Sequence, residues 1–370
     1  MACYIGLMSG TSLDGVDAVL AEQPTQGPAL RAVGHAHRAF PDGLRAELLA
    51  LNHSGLDELH RAALAANALA RLYAEVVHEL LAAAALSPEA VRAVGAHGQT
   101  VRHHPRAFDG SGYTLQLMNG ALLAELCGID VVCDFRSRDV AAGGEGAPLV
   151  PAFHAACFSA AGVSRAVLNL GGIANVTLLP ADGSVLGFDT GPANVLMDAW
   201  CQRHQGCGFD ANGAWAAGGQ VNPALLQAWL SDAYFARQPP KSTGRDLFDI
   251  AWLDASLGIE RNAPQDVMAT LAELTVCTVA DALQRHAPAT RELFVAGGGA
   301  YNRHLLTRLA ALLPSVQVQT SAALGVPPDQ MEALAFAWLA RASLNRQPGN
   351  LPAVTGARGR RVLGAVYAAA

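Results

Sequence analysis

Apolar and polar positions alternate sharply at the start of the chain. Tyr4-Ile5-Gly6-Leu7-Met8 runs into the polar stretch Ser9-Gly10-Thr11-Ser12-Leu13-Asp14-Gly15. A second apolar run follows, with Val16, Ala18 and Leu20 on one face and Asp17 on the other. Period-two patterning on both sides of a Gly- and Asp-rich turn predicts a β-hairpin. Residues 29–40 read as a third strand, and the 3.6-residue period predicts helices over 43–51 and 56–86. Residues 91–97 form an apolar strand that runs into the polar loop His97-Gly98-Gln99-Thr100. Strands at 114–117 and 129–133 flank a helix over 120–127. Residues 134–151 are Gly-rich and charged with little period, which suits a domain junction or the wall of a site.

The hairpin pattern then recurs. Residues 165–170 are a strand, Gly171-Gly172 a turn and 174–179 another strand. Further on come a strand at 185–188, helices at 194–204, 223–230 and 264–286, and a strand at 292–296. That strand delivers Gly297-Gly298-Gly299 to a helix over 303–312, followed by a strand at 316–319 and a helix from Pro328 to Leu344. Strands alternating with helices define the α/β class, and the echoed hairpin predicts two related halves.

Composition narrows the function. The chain has 370 residues, 51% of them hydrophobic and 15% charged, enough for two domains with sizeable cores. A net charge of −6 without a basic run argues against nucleic acid as a partner. The most apolar long segment, 62–86, is interrupted by Arg71, Glu75, His78 and Glu79, so it reads as an amphipathic helix and no membrane partner is expected. Seven scattered cysteines without a CxxC fit reduced thiols in a cytoplasm, and the start has no signal-peptide pattern.

Several constellations carry candidate chemistry. The opening turn gathers three hydroxyls, two carboxylates and successive backbone N–H groups between Ser9 and Asp17, a concavity suited to phosphate; an ordinary polar turn is the bland alternative. No Lys follows and no helix opens there, so it is not a Walker P-loop. The Gly297–Gly299 triplet lies before a helix N-terminus, where a ring or phosphate can approach the backbone, or it is simply a tight turn. It lacks the Rossmann spacing. Asp189 in Gly187-Phe188-Asp189-Thr190-Gly191-Pro192 sits at a strand end, as a general base or metal ligand would, or as a helix cap. His97-Gly98-Gln99-Thr100 offers hydrogen-bonding groups suited to a sugar. Arg136 and Arg138, beside Asp134 and Asp139, form either a carboxylate clamp or a surface ion-pair cluster. His103 and His104 lack partners at metal-ligand spacing. Lys241, the sole lysine, stands beside two hydroxyls and a glycine, and Glu332 opens the last long helix.

Seven of these motifs occur in one order: Met8 to Asp17, His97 to Thr100, Asn169 to Asn175, Gly187 to Pro192, Lys241-Ser242-Thr243-Gly244-Arg245, Ala296 to Asn302, and Pro327 to Ala333. Together they closely resemble the anhydro-N-acetylmuramic acid kinases over essentially the whole chain. The resemblance implies the two-domain actin, sugar-kinase and Hsp70 fold (ribonuclease H-like), with ATP in an interdomain cleft. The expected division is 1–135 plus about 345–370 for one domain and 136–344 for the other. It implies that Gly10, Thr11, Ser12, Leu13, Asp14, Gly15, Val16 and Asp17 wrap the ATP phosphates, with Gly171, Gly172 and Asn175 as the matching element. Gly297, Gly298, Gly299 and Asn302 would lie against the adenosine. Asp189 matches the catalytic base, and Glu332 and Thr100 match residues near the anhydro-sugar, where His97 and Arg138 are also expected. Mg²⁺ accompanies ATP, with Asp14 or Asp17 as candidates to hold it through water; its ligands stay open. The implied activity is a phosphotransferase with an alcohol acceptor, opening 1,6-anhydro-N-acetylmuramic acid and phosphorylating O6 in peptidoglycan recycling. A homodimer is carried as a candidate assembly. The alternatives are another sugar or acyl kinase of this fold, or a nucleotide-gated binding protein without chemistry.

Overall fold

A computed structural model describes residues 2–10, 12–24, 30–244, 247–257 and 262–369. Its first strands are β1 (Cys3–Met8), β2 (Gly15–Glu22), β3 (Arg31–Ala39), β4 (Val91–Ala96), β5 (Gln99–Pro105), β6 (Gly112–Leu117) and β7 (Val131–Cys133). The rest are β8 (Arg165–Leu170), β9 (Ile173–Leu179), β10 (Leu186–Pro192), β11 (Glu292–Ala296), β12 (Gln317–Thr320) and β13 (Ala365–Tyr367).

The chain divides into two compact units, 1–157 with 330–370, and 158–329. The first is built on a sheet in the order β13-β7-β4-β1-β2-β3. Strands β1, β2 and β3 pair antiparallel, whereas β4 and β7 run parallel to β1, and β13 closes the edge antiparallel to β7. The second unit orders its strands β10-β9-β8-β11-β12. Its senses repeat those of the first: β8, β9 and β10 antiparallel, β11 and β12 parallel to β8. The echoed hairpin therefore belongs to a repeated five-strand plan.

Each unit has its own core, as the apolar patterning requires. In the first, Ile5, Leu7, Val16 and Leu20 pack under the helix Glu58–Ala84, whose Leu69, Tyr73, Val76 and Leu80 form its buried stripe. The helix Met331–Leu344 is buried almost all round. It lies so close to the sheet that a Cβ on Gly6 would stand 1.8 Å from the Ala333 carbonyl oxygen, and one on Gly95 2.1 Å from that of Phe336. In the second unit the helix Pro264–His286 buries Met268, Leu271 and Leu274 against β8, β9 and β11 side chains.

Three expectations change. The first unit reaches beyond residue 135 and resumes at 330, because the segment after Asp134 is tied back to it. Asp139, fully buried, accepts hydrogen bonds from Asn350 Nδ2 (2.6 Å), Thr355 Oγ1 (2.8 Å) and Gly146 N–H (2.8 Å). The stretch 134–151 is not all loop: it holds the helix Ser137–Ala141 and begins the helix Val150–Phe158. Finally, Gln99 opens a strand, β5, paired with β6 as a separate two-stranded sheet. Its Arg102-His103-His104 run is polar because little of this ribbon is buried, so no alternation marked it.

Candidate active site

In the first unit the turn between β1 and β2 is pinned by one apolar anchor. Leu13 is buried although its φ is 56°, a left-handed conformation that a leucine adopts only when its surroundings hold it. Its N–H reaches the Gly10 carbonyl at 3.3 Å. A Cβ on Gly10 would meet nothing nearer than Ser12 Oγ at 3.5 Å, so this face of the turn is open. Ser12 Oγ donates to Asp14 at 2.8 Å, and both are exposed. Gly15 serves packing instead, since a Cβ there would stand 2.3 Å from the Arg38 carbonyl oxygen. Val16 points into the core, and Asp17 meets His37 Nδ1 at 3.0 Å and His35 Nε2 at 3.5 Å. Thr11 lies outside the described residues.

The same turn is tied to the β4–β5 junction. Ser9 Oγ donates to the Gly98 carbonyl at 3.0 Å, which leaves Tyr73 as the donor in its 2.8 Å bond to Ser9. Gln99 Nε2 donates to the Gly10 carbonyl at 3.1 Å. His97 is buried, and Arg136 donates to its Nε2 from both Nε (3.1 Å) and Nη2 (2.9 Å). A guanidinium has no acceptor, so Nε2 is the bare nitrogen and Nδ1–H points at the Ser9 carbonyl, 3.2 Å away. Burial, then the Arg136 charge, hold the imidazole neutral with its pKa near 3. Burial likewise pulls Arg136 down to about 10, while Glu332 and Asp139 push it back up. Glu332 is raised by burial, drawn down by Arg136 and pushed further up by Asp17 and Asp14. The site thus couples a neutral histidine, a partly buried guanidinium and a carboxyl whose burial favours its protonated form. Thr100 Oγ1 accepts from Gln116 Nε2 at 3.2 Å. Arg138 is exposed; Arg136 is the guanidinium brought to His97.

The second unit arranges its polar groups in a row. Asp189 on β10 faces Asn175 on β9, which faces Asn169 on β8, so three polar side chains share one sheet face. The β10–β9 register shifts between Asp189 and Gly191, and β10 extends past Asp189 to Pro192. The carboxylate is held by Ser242 Oγ (3.0 Å) and the Thr243 N–H (2.9 Å). Its backbone is held too: Asp189 N–H reaches the Lys241 carbonyl at 3.2 Å, and Tyr234 Oη donates to the Asp189 carbonyl at 2.7 Å. Burial raises the Asp189 pKa, and the Thr243 N–H, Ser242 and the Lys241 charge draw it back. Burial thus favours the protonated carboxyl, while the two hydrogen bonds and the lysine charge favour the ionised one.

The second hairpin turn is anchored by its carbonyls, which accept N–H groups of Ala193, Asn194 and Val195 at 2.9–3.0 Å. Its other side is open, since Cβ atoms on Gly171 and Gly172 would meet nothing within 3.7 Å. The glycine triplet divides by the same measure. Gly297 (φ 78°) and Gly299 are packing positions, where a Cβ would stand 2.4 Å from Asn169 Oδ1 and 2.5 Å from Leu170 Cβ. Only Gly298 is open, with Asn194 Nδ2 at 4.0 Å. Asn302 caps the helix Arg303–Leu312 through the Leu305 N–H at 3.1 Å. Ser242, Thr243 and Tyr234 were not among the expected site residues. The isolated lysine beside two hydroxyls was the available signal; Arg245 of that motif lies outside the described residues.

No cluster of three or more His, Cys, Asp or Glu able to hold a metal occurs among the described residues. All seven cysteines are free, and no described helix is long and apolar enough to cross a membrane.

Two α/β units share one strand order, and each is turned by a glycine hairpin beside its polar site residues. The family model described as anhydro-N-acetylmuramic acid kinase matches residues 2–369. The chain belongs to the anhydro-N-acetylmuramic acid kinase family. It is 60% identical over 372 residues to a protein of that name from Variovorax paradoxus, covering 99% of both chains. It is 61% identical over 370 residues to another from Bordetella petrii, covering 99% of this chain and 96% of that one. Among solved structures it is similar to a ROK family glucokinase from Streptomyces griseus in complex with glucose and AMPPNP, at 13% identity and a TM-score of 0.42, over 92% of this chain and 99% of that one.

Proposed function

We propose that this chain is an ATP-dependent kinase that opens 1,6-anhydro-N-acetylmuramic acid with water and phosphorylates O6, yielding N-acetylmuramic acid 6-phosphate and ADP. One observation carries the assignment of the chemistry. In a chain of this family, Asp189 is a carboxylate whose burial raises its pKa while Ser242 and Thr243 fix its orientation. Asp189 takes a proton from the water that attacks C1. The C1–O6 bond breaks, O6 accepts the γ-phosphoryl group, and ADP leaves. One base thus serves a hydrolysis and a transfer, so positioning and charge stabilisation supply the rest.

The open glycine faces at Gly10 in the first unit and at Gly171, Gly172 and Gly298 in the second suit backbone approach to phosphates, and Asn175 shares the sheet face of Asp189 in the second. Glu332, Arg136 and His97 define the sugar side, where the Arg136 guanidinium suits a carboxylate-bearing sugar. Thr100 adds a hydroxyl, and the exposed Arg138 is the second candidate for that carboxylate. Mg²⁺ fits as an ion carried by the ATP phosphates, neutralising charge as it develops. The chain offers the exposed Asp14 carboxylate rather than a protein cage, since His35 and His37 already meet Asp17. Free cysteines fit a cytoplasmic setting.

Incubation with ATP and the anhydro-sugar, read by mass, tests the reading. The expected product gains both water and a phosphoryl group; a gain of phosphate alone points to an ordinary sugar kinase. Asp189→Asn is expected to abolish product while ATP still binds by calorimetry, and retained turnover removes the base from Asp189.

A further inference from the structure

The second unit also holds a cavity of about 400 Å³, within the usual range for small-molecule pockets. Phe188 and Thr190 line it. These residues flank Asp189 on β10, so their side chains point to the face opposite the Asp189 carboxylate. Phe235, Arg237, Lys241 and Arg285 stand around the same space.

The charges there are unbalanced. Arg285 is engaged by Asp281 at 2.6 Å. Arg237 and Lys241 form no ion pair among the described residues. Lys241 is only half-exposed; its ammonium has a 3.5 Å contact with the Tyr234 carbonyl and stands over the Tyr234 ring at 4.7 Å. His286 adds no charge, since partial burial and the nearby Lys241 and Arg285 lower its pKa. Against the lining carboxylate Asp281, the wall presents three cations, two of them outside any ion pair among the described residues and one of those on a planar fork, beside Phe188 and Phe235. Ammonium and guanidinium donors suit a phosphate group, and the aromatic wall suits a compact ring.

We propose that this cavity binds the phosphomonoester of a small ring compound, and that its occupancy is felt at Asp189. The path is short. The Lys241 carbonyl holds the Asp189 N–H, the next two residues hold its carboxylate, and the Tyr234 hydroxyl holds its carbonyl. A phosphate that draws on the Lys241 ammonium acts on the segment that orients the base. Coupling between two sites is a differential affinity, so such a ligand alters turnover to the extent that it favours one placement of residues 241–243.

Calorimetric titration of the full chain with glucose 6-phosphate, inorganic phosphate and glucose tests this, with ADP release measured alongside. Glucose 6-phosphate is expected to bind, phosphate about tenfold more weakly, and glucose not at all. The pair Arg237→Ala with Lys241→Met is expected to weaken binding at least about tenfold, while Asp189→Asn leaves it intact. Saturating glucose 6-phosphate should change kcat about twofold in the unaltered chain and not in the double variant. No binding by about 10 mM, binding that survives the double substitution, or binding without a change in turnover overturns the proposal. The titration does not depend on the sugar acceptor, so a chain that binds the probe but releases no ADP refutes the kinase reading separately.

Discussion

Asp189 is pulled in two directions. Burial raises its pKa, and the Ser242 hydroxyl and Thr243 N–H bind its charged form. The base proposed at Asp189 works only when ionised, so activity should fall with acidity through a value above the ordinary 3.8. Ser242→Ala removes a donor to the carboxylate, and the acid limb of the kcat profile should move up by about one pH unit. An unmoved limb would show that Thr243 alone sets the value. The sequence marks Asp189 as a carboxylate among glycines, but it places that residue at a strand end, whereas β10 runs on to Pro192 because a register shift after Asp189 lets the pairing with β9 continue. Its supports were not legible: they lie more than fifty residues on, and one is a backbone N–H that no side chain announces. Arg136 and Arg138 show the same limit. Two residues apart in a short charged stretch, they part at the start of the helix Ser137–Ala141: Arg136 precedes it and meets His97, whereas Arg138 lies within it and is exposed.

At the scale of elements, the helix Met331–Leu344 reaches the sheet because Gly6 and Gly95 have no side chains. Its first turn carries Glu332, so this packing sets where the carboxyl stands. Gly95→Ala places a methyl 2.1 Å from the Phe336 carbonyl, and the helix must lift. The expected cost is about 1–3 kcal/mol in urea unfolding, with KM for the sugar raised more than KM for ATP. Asp139→Ala acts on a different junction. It strips the partners of Asn350, Thr355 and the Gly146 N–H, at a cost of about 3 kcal/mol, and hydrogen exchange should quicken first across 142–149 and 350–361. Most elements followed from the periodicity; the helices 120–127, 223–230 and 264–286 and the strands 165–170 and 292–296 begin and end where the pattern changes. β5 and β13 escaped it because a polar ribbon and a three-residue edge strand acquire their identity from pairing.

Across the whole molecule, two cores stand on one strand plan. The shared plan was visible in sequence only as two glycine-turned hairpins; the matching order of the strands that follow depends on pairings between distant segments. The first unit also buries two histidines, His97 and His154, each with its pKa lowered to about 3 chiefly by burial. The unfolded chain takes up their protons near pH 6.5, so each makes folding less favourable as pH falls from there towards 3. The slope is about 1.4 kcal/mol per pH unit for each histidine. His154→Leu should remove one such share from the pH dependence of unfolding; an unchanged slope would show that His154 protonates in the folded state. Glu332, whose pKa burial raises, works in the opposite sense and is common to the unaltered protein and the His154→Leu variant.

The edge strand β13 and the anchoring residues Asn350 and Thr355 have a bearing on biosynthesis. All of 158–329 is translated before any of them exists, although β1 to β7 were made first. The earlier-made sheet is therefore completed only by residues made last, and its unpaired β7 edge is the segment that a chaperone would have reason to cover until they arrive.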